Sequence, residues 1–93
     1  MELETGNPEK IIQTVFTNIV AIEYDNKTHI EKSQRYKWCT EKFGENLYSD
    51  SPNNKGRYVI KNDNAVWDFI VNKFHLYCFK YEKDAMLFKL TWG

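Results

Sequence analysis

The sequence predicts an α+β fold, in which an antiparallel sheet of three to four strands carries one or two helices packed on one face. Runs of β-branched and aromatic residues, bounded by turn formers, recur at strand length in the second half of the chain. A central segment instead shows helical spacing of its apolar residues. Eight of the fifteen aromatic residues lie between Trp67 and Gly93, and such rings bury enough area for a chain of 93 residues to form a core without disulfides or metal. We therefore expect residues 1–93 to form one domain, with residues 1–7 as a flexible tail.

The first element begins at Asn7-Pro8, where a capping residue precedes proline at the first helical position. Apolar residues then fall at helical spacing as far as Val20. The stretch from Val15 to Tyr24, however, is mostly β-branched or aromatic and also alternates. Periodicity alone does not separate these interpretations. We favour a helical turn at residues 8–13, followed by a strand over about residues 15–24.

The second element is predicted to be a helix that runs from residue 29 or 33 to residue 43. The pattern Thr28-x-x-Glu31 has the form of a capping box. Tyr36, Cys39 and Phe43 share one side of this helix, and Gly44 suits the position just beyond a helix end. The charged residues of the helix are expected on a solvated face: Lys32, Arg35, Lys37, Glu41 and Lys42.

The second half of the chain predicts an antiparallel meander. After a hydrophilic loop at residues 48–56, strands are expected at residues 57–61, 65–71 and 74–81. Asn62-Asp63-Asn64 forms the first turn between them and Asn72-Lys73 the second.

The final segment, residues 82–92, is compatible with either a helix or a strand. Ala85, Phe88 and Trp92 recur at helical spacing, and acidic residues in the first turn suit the helix dipole. Yet Met86, Phe88, Leu90 and Trp92 also alternate with their neighbours. We favour a helix, because Ala, Met, Leu and Lys are strong helix formers.

Composition excludes several functional classes. Thirteen basic and thirteen acidic residues cancel, so no net field would attract nucleic acid or an anionic membrane. Cys39 and Cys78 lie among apolar residues and are predicted to be reduced thiols. No apolar run approaches the roughly 18 residues of a membrane-spanning helix, and the acidic start is unlike a signal peptide. We therefore expect a soluble, cytoplasmic protein.

Motifs for catalysis or metal binding are weak. His75 and Cys78 form an H-x-x-C pattern, but residues three apart in a strand point to opposite faces, so a zinc site is not expected. Cys39 shares an apolar helix side, where a thiol is unreactive. The chain contains no nucleophile elbow, zincin pattern or phosphate-binding loop. We predict a protein that is not an enzyme and that uses no metal or cofactor.

The best candidate for a binding surface is one side of the third predicted strand. If Phe74, Leu76 and Cys78 face the core, four rings line the opposite side. Such rings on an open sheet can stack nucleic acid bases, and Arg57 would add a phosphate contact. The alternative is that the C-terminal element covers this side and buries the rings. The candidate binding residues are His75, Tyr77, Phe79, Tyr81 and Arg57.

Two short patches carry a resemblance to a known family. The first contains Trp38-Cys39 with Phe43-Gly44, and the second runs from Phe79 through Asp84-Ala85 to Trp92. Together they resemble small accessory proteins of tailed bacteriophages. Both patches consist of core-type residues, so the resemblance carries over no functional residue. It implies a virus-encoded protein in the cytoplasm of a bacterial host.

Proteins of this kind commonly bind a host protein, so we expect this chain to bind and inhibit or redirect one, such as a defence or nucleic-acid-processing factor. The alternative is a small module that binds RNA or single-stranded nucleic acid through the aromatic sheet face. Because a small domain has only one core in which to bury so many rings, a homodimer is a third expectation.

Overall fold

A computed structural model describes residues 8–23, 31–49, 54, 58–71 and 74–92 of the chain. No helix among them is long and apolar enough to cross a membrane. The elements, in chain order, are α1 (Pro8–Val15), β1 (Asn18–Glu23), α2 (Lys32–Phe43), β2 (Trp67–Val71), β3 (Phe74–Phe79) and α3 (Glu82–Trp92).

The strands form one antiparallel sheet in the order β1-β3-β2, which confirms the predicted α+β class. β3 is the central strand, with Ala21 of β1 and Ile70 of β2 both opposite Leu76. The strand predicted at residues 57–61 is wrong for its described part. There, isolated bridge pairing, such as that between Ile60 and Tyr48, replaces a strand, and the third strand of the sheet is β1.

Side chains on the two faces of this sheet enter two separate cores. On the first face, Tyr77 and Phe79 of β3 pack with Cys39 of α2 and with Ala85 and Phe88 of α3. We call this the two-helix face. On the second face, which we call the one-helix face, Cys78 of β3 and Ile70 of β2 pack with Ile12 of α1 and with Phe16. The prediction placed one or two helices on one face. α2 and α3 lie on one face, and α1 adds a helix on the other.

Helix α1 was only partly predicted, because it continues two residues beyond the expected end at residue 13. Ile12 and Phe16 lie four residues apart and are 3% and 1% exposed, so they form the apolar side that packs on the sheet. The expected strand begins later, at Asn18, and its residues alternate between half-buried and exposed. Helical spacing therefore determines the segment up to Phe16, and alternation determines the segment after it.

The ends of α2 and α3 follow local chemistry. Gly44 has a φ of 87°, a conformation that side-chain-bearing residues avoid, and its N–H donates to the carbonyl of Thr40 at 3.0 Å. The final segment is a helix, as we favoured. Its buried residues, Ala85 and Phe88, lie three residues apart and so share one side of the helix. Leu90 is 85% exposed, which excludes the alternative in which it alternates inward along a strand with Phe88.

Candidate functional site

The predicted binding face is covered by α2 and α3. His75, Tyr77 and Phe79 are each at most 1% exposed. The Tyr77 and Phe88 rings stack with centroids 4.6 Å apart, and the Phe79 and Phe88 centroids lie 5.5 Å apart. The expectation of an open aromatic face is therefore wrong for these three residues. Phe88 of α3 packs against Tyr77 and Phe79 where a base would stack, and Arg35 of α2 contacts His75.

The other two predicted residues are placed differently. Tyr81 lies just before α3 and is 44% exposed. The Nζ atoms of Lys80 and Lys83 lie 5.5 and 5.7 Å from its ring centroid. Arg57 falls outside the described residues. The structure thus separates Tyr81 from the buried rings with which it was grouped.

A buried arginine holds the covered face together. Arg35 of α2 is 1% exposed, which corrects the expectation that it belongs to a solvated face. Its Nε donates to the hydroxyl of Tyr77 at 2.9 Å, and its Nη2 lies 2.7 Å from His75 Nδ1. Because a guanidinium group can only donate, His75 Nδ1 accepts this bond and therefore carries no proton. Glu31, at 3.6 Å from Nη1, adds a partly exposed counter-charge.

A cleft lies at the outer edge of β2, between α1 and α2. This cleft has a volume of about 530 Å³, within the range of ligand and peptide pockets. Its floor is β2 from Asp68 to Val71. Its other lining residues are Glu9 and Ile12 of α1, Lys32, Ser33 and Tyr36 of α2, and Asn46, Tyr48, Ser49 and Tyr58 from the connecting segments.

Asp68 fixes the shape of this cleft. Its carboxylate is 2% exposed and accepts three hydrogen bonds. Oδ1 accepts from Asn46 Nδ2 at 2.9 Å and from the backbone N–H of Phe69 at 2.7 Å, and Oδ2 accepts from the backbone N–H of Tyr48 at 3.0 Å. The carboxylate thus replaces the backbone pairing that a further strand would provide, and it ties the chain after α2 to the edge of β2.

Burial determines the charge state of this cluster. Desolvation raises the pKa of Asp68, and the bonds from Asn46, Phe69 and Tyr48, with the charge of Lys61, oppose that rise. The pKa of the Tyr48 phenol is raised by its burial and then by the nearby Asp68 charge. Tyr48 Oη has no hydrogen-bond partner among the residues that the structure describes.

The hydrogen bonds and the pKa values of the cleft residues limit the chemistry available there. The oxygens of Asp68 already accept from fixed donors, so the carboxylate is engaged in holding the fold. Cys78 lies opposite Asp68 on β3, and burial, with the Asp68 charge, raises its thiol pKa to about 12, which keeps it protonated. Within the described part of the chain, no group of three or more His, Cys, Asp or Glu residues could hold a metal ion.

Sequence reasoning missed both buried charges, although each breaks a pattern. Asp68 interrupts the strand Trp67–Val71, where Asp is disfavoured and where a buried carboxylate requires donors. Arg35 precedes Cys39 by one helical turn and therefore lies on the apolar side of α2. A charged residue at an inward position was the available signal in both cases.

The cleft residues were also not predicted as a site. Tyr36 was identified as part of an apolar helix side, and Tyr48 and Tyr58 were assigned to a loop and to a strand. They meet only because Gly44 turns the chain back across β2 after α2. Comparisons with protein-family models, with curated proteins and with solved structures find no match for this chain.

Proposed function

We propose that this chain is a non-enzymatic protein that binds a segment of another protein in the cleft beside β2. The observation that carries this proposal is the concentration of tyrosines: Tyr36, Tyr48 and Tyr58 all line the one cleft. Tyrosine combines a large apolar ring with a hydroxyl, which makes it a frequent anchor of protein interfaces. Phe69 adds a fourth ring, since it packs against Tyr36 with centroids 5.6 Å apart.

The resemblance to phage accessory proteins makes a bacterial host protein the expected partner, which the chain would inhibit or redirect. An extended segment of that partner fits the floor of the cleft. Lys80 N–H donates to the Val66 carbonyl at 2.8 Å, so the even-numbered residues of β2 face β3. Phe69 and Val71 therefore direct their backbone groups outward. Asp68 Oδ1 already accepts from the Phe69 N–H, so the peptide would pair with the Phe69 carbonyl and with the backbone groups of Val71.

The burial of Tyr77 and Phe79 counts against the alternative, a module that stacks nucleic acid bases on the sheet. Balanced charge counts against it as well, because phosphate contacts supply most of the affinity for nucleic acid.

The proposal is tested by capture from a bacterial lysate with the intact chain and two matched variants. Tyr58→Ala removes a half-buried ring from the cleft, and Tyr81→Ala removes an exposed ring far from it in sequence and on another element. We expect a specific protein to be captured by the intact chain and by Tyr81→Ala, and to be lost with Tyr58→Ala. Site-specific photo-crosslinking from position 58 should then label the same protein. Capture that depends on Tyr81 and not on Tyr58 would contradict the proposal.

A further inference from the structure

The two edges of the sheet differ in how they are protected. At the β2 edge, Asp68 Oδ1 occupies the outward N–H of Phe69, and the segment from Asn46 to Tyr48 lies against the strand. Side chains that occupy edge backbone groups are a common way to prevent strands from pairing between molecules. The β2 edge is therefore protected along part of its length.

Among the described residues, none protects the β1 edge in this way. Phe79 and Tyr77 of β3 direct their backbone groups toward β1, since the even-numbered residues of β3 pair with β2. Ile19 and Ala21 of β1 consequently direct theirs outward, and no described residue bonds to them. The strand contains no Lys, Pro or bulge, and Ile19 is 42% exposed. An unprotected apolar edge of this kind is a template for another strand.

The adjacent surface of α3 indicates that the strand that pairs with β1 belongs to a second copy of this chain. A shallow groove beside β1 is lined by residues 17–20 and by Glu82, Ala85, Met86 and Lys89 of α3. Met86 is 57% exposed and lies between Glu82, one turn before it, and Lys89, almost one turn after it. Glu82, Met86 and Lys89 form what we call the α3 stripe, which runs from acidic through apolar to basic. When two identical stripes meet antiparallel, each Glu82 faces the Lys89 of the other copy, and the two Met86 side chains meet.

We propose that two copies of this chain associate through their β1 edges about a two-fold axis near Ala21. Antiparallel pairing of β1 with β1 joins the two sheets into one of six strands, and the α3 stripes close against each other beside it. The same surface serves both copies, as a two-fold interface requires. This surface is separate from the cleft, so the proposal stands or falls independently of the proposed function.

The first test measures mass by light scattering after gel filtration, over a dilution series. We expect the unmodified chain at twice 11.2 kDa and its dissociation only on dilution. Ile19→Lys places a charge on the edge, and Ala21→Pro removes an outward N–H without affecting the pairing with β3. Both variants should be monomeric at concentrations where the unmodified chain is dimeric, with circular dichroism spectra unchanged.

The matched control is Val71→Lys, on the protected β2 edge, where Val71 is 38% exposed. This variant should remain dimeric. A chain that is monomeric throughout the series, or a dimer that survives Ile19→Lys, would overturn the proposal. A dimer lost equally in Val71→Lys would overturn it too, because the β2 edge would then be the interface.

A second test fixes the axis. In an antiparallel pair with Ala21 opposite itself, the two Cα atoms lie about 5.5 Å apart, which suits a disulfide. Ala21→Cys should therefore form a disulfide-linked dimer under mild oxidation, whereas Val71→Cys should not. Cys39 and Cys78 are both fully buried and will not interfere. Failure of Ala21→Cys to cross-link in a chain that is dimeric by light scattering would exclude the proposed register.

Discussion

Among the described residues, each face of the sheet buries one charged side chain, Arg35 on one face and Asp68 on the other, and the two differ in the groups that bond to them. On the two-helix face, Arg35 reaches Tyr77 and His75 through its own side chain, and all three residues are at most 1% exposed. On the one-helix face, Asp68 accepts mainly from backbone and amide donors of a connecting segment, and the cleft lies next to it. The cationic cluster closes a face, whereas the anionic cluster shapes an opening.

The largest effect is expected from removing the cation. Arg35→Leu leaves the Tyr77 hydroxyl and His75 Nδ1 buried without their donor, and we expect the free energy of unfolding to fall by about 3 to 5 kcal/mol. Arg35→Lys should recover only part of the loss, because one ammonium cannot reproduce the spread of the guanidinium bonds. Urea denaturation measures both. A loss in Arg35→Leu no larger than that of an exposed substitution would show that the cluster is not essential to the two-helix face.

The anionic cluster should contribute less. Asp68→Asn replaces one acceptor oxygen with an NH2 group. In the Oδ2 position this group opposes the N–H of Tyr48, and in the Oδ1 position it opposes the donors of Asn46 and Phe69, at a cost of about 2 kcal/mol. The loss is smaller than for Arg35 because the desolvation that raises the Asp68 pKa is relieved at the same time. Asp63→Asn, on an exposed turn, is the control and should be neutral. Equal losses in the two variants would contradict the bracing role of Asp68.

The pH dependence sharpens this contrast. The pKa of Asp68 is raised above its ordinary value of 3.8, so the folded protein holds its proton to higher pH than the unfolded chain does. Its contribution to stability is therefore fully present below the unfolded pKa and is lost as pH rises through the folded pKa. The difference in unfolding free energy between the unmodified chain and Asp68→Asn should fall over that interval, as denaturation at a series of pH values would show. A difference that grows with pH would have the wrong sign.

Gly44 joins the two clusters, because it ends the helix that carries Arg35 and starts the segment that carries Asn46. A Cβ at this position would meet nothing within 4 Å, so Gly44→Ala tests backbone strain alone. With φ at 87°, we expect a loss of about 1.5 kcal/mol. Thermal unfolding against Glu45→Ala, an exposed neighbour, measures it. A loss of stability in Gly44→Ala no larger than that in Glu45→Ala would mean that the turn accommodates the added side chain without strain.

The two thiols give the smallest effect and the most direct comparison of the faces. Burial raises the pKa of both to about 12, although Arg35 partly opposes the rise at Cys39 and Asp68 adds to it at Cys78. Both should therefore react with an aromatic disulfide reagent only when the chain unfolds, at one shared rate. Fast reaction of one thiol in the native protein would show that its face opens locally.

Local patterns were sufficient to predict the fold class and most elements. β2, β3, α2 and α3 follow from β-branched runs, from the Tyr36–Phe43 spacing and from helix formers. The position of β1 and the loss of a strand at residues 57–61 did not follow, because both depend on which edge of β3 a distant segment reaches. Sequence alternation shows that a strand has two faces but not how many helices cover each.

The site was less accessible to prediction. The rings of β3 were candidates because aromatic alternation looks the same on an open and on a covered sheet. Only the packing of α3 distinguishes the two. The cleft is assembled from α1, α2, β2 and two connecting segments, and none of its residues forms a motif. The sequence did contain one signal of the contacts that organise the two faces, namely charged residues at inward positions, Arg35 and Asp68.

The central position of β3 also has a consequence for how the chain is made. β1 and β2 do not touch each other, and each pairs only with β3, which follows both in sequence. During synthesis on a ribosome, no sheet can therefore form until Phe74–Phe79 has left the exit tunnel. Until then the apolar residues of β1 and β2 have no strand to pair with. β1 must therefore wait for β3 while all the residues between them are synthesised, and we expect the sheet to form in a single step once β3 has emerged.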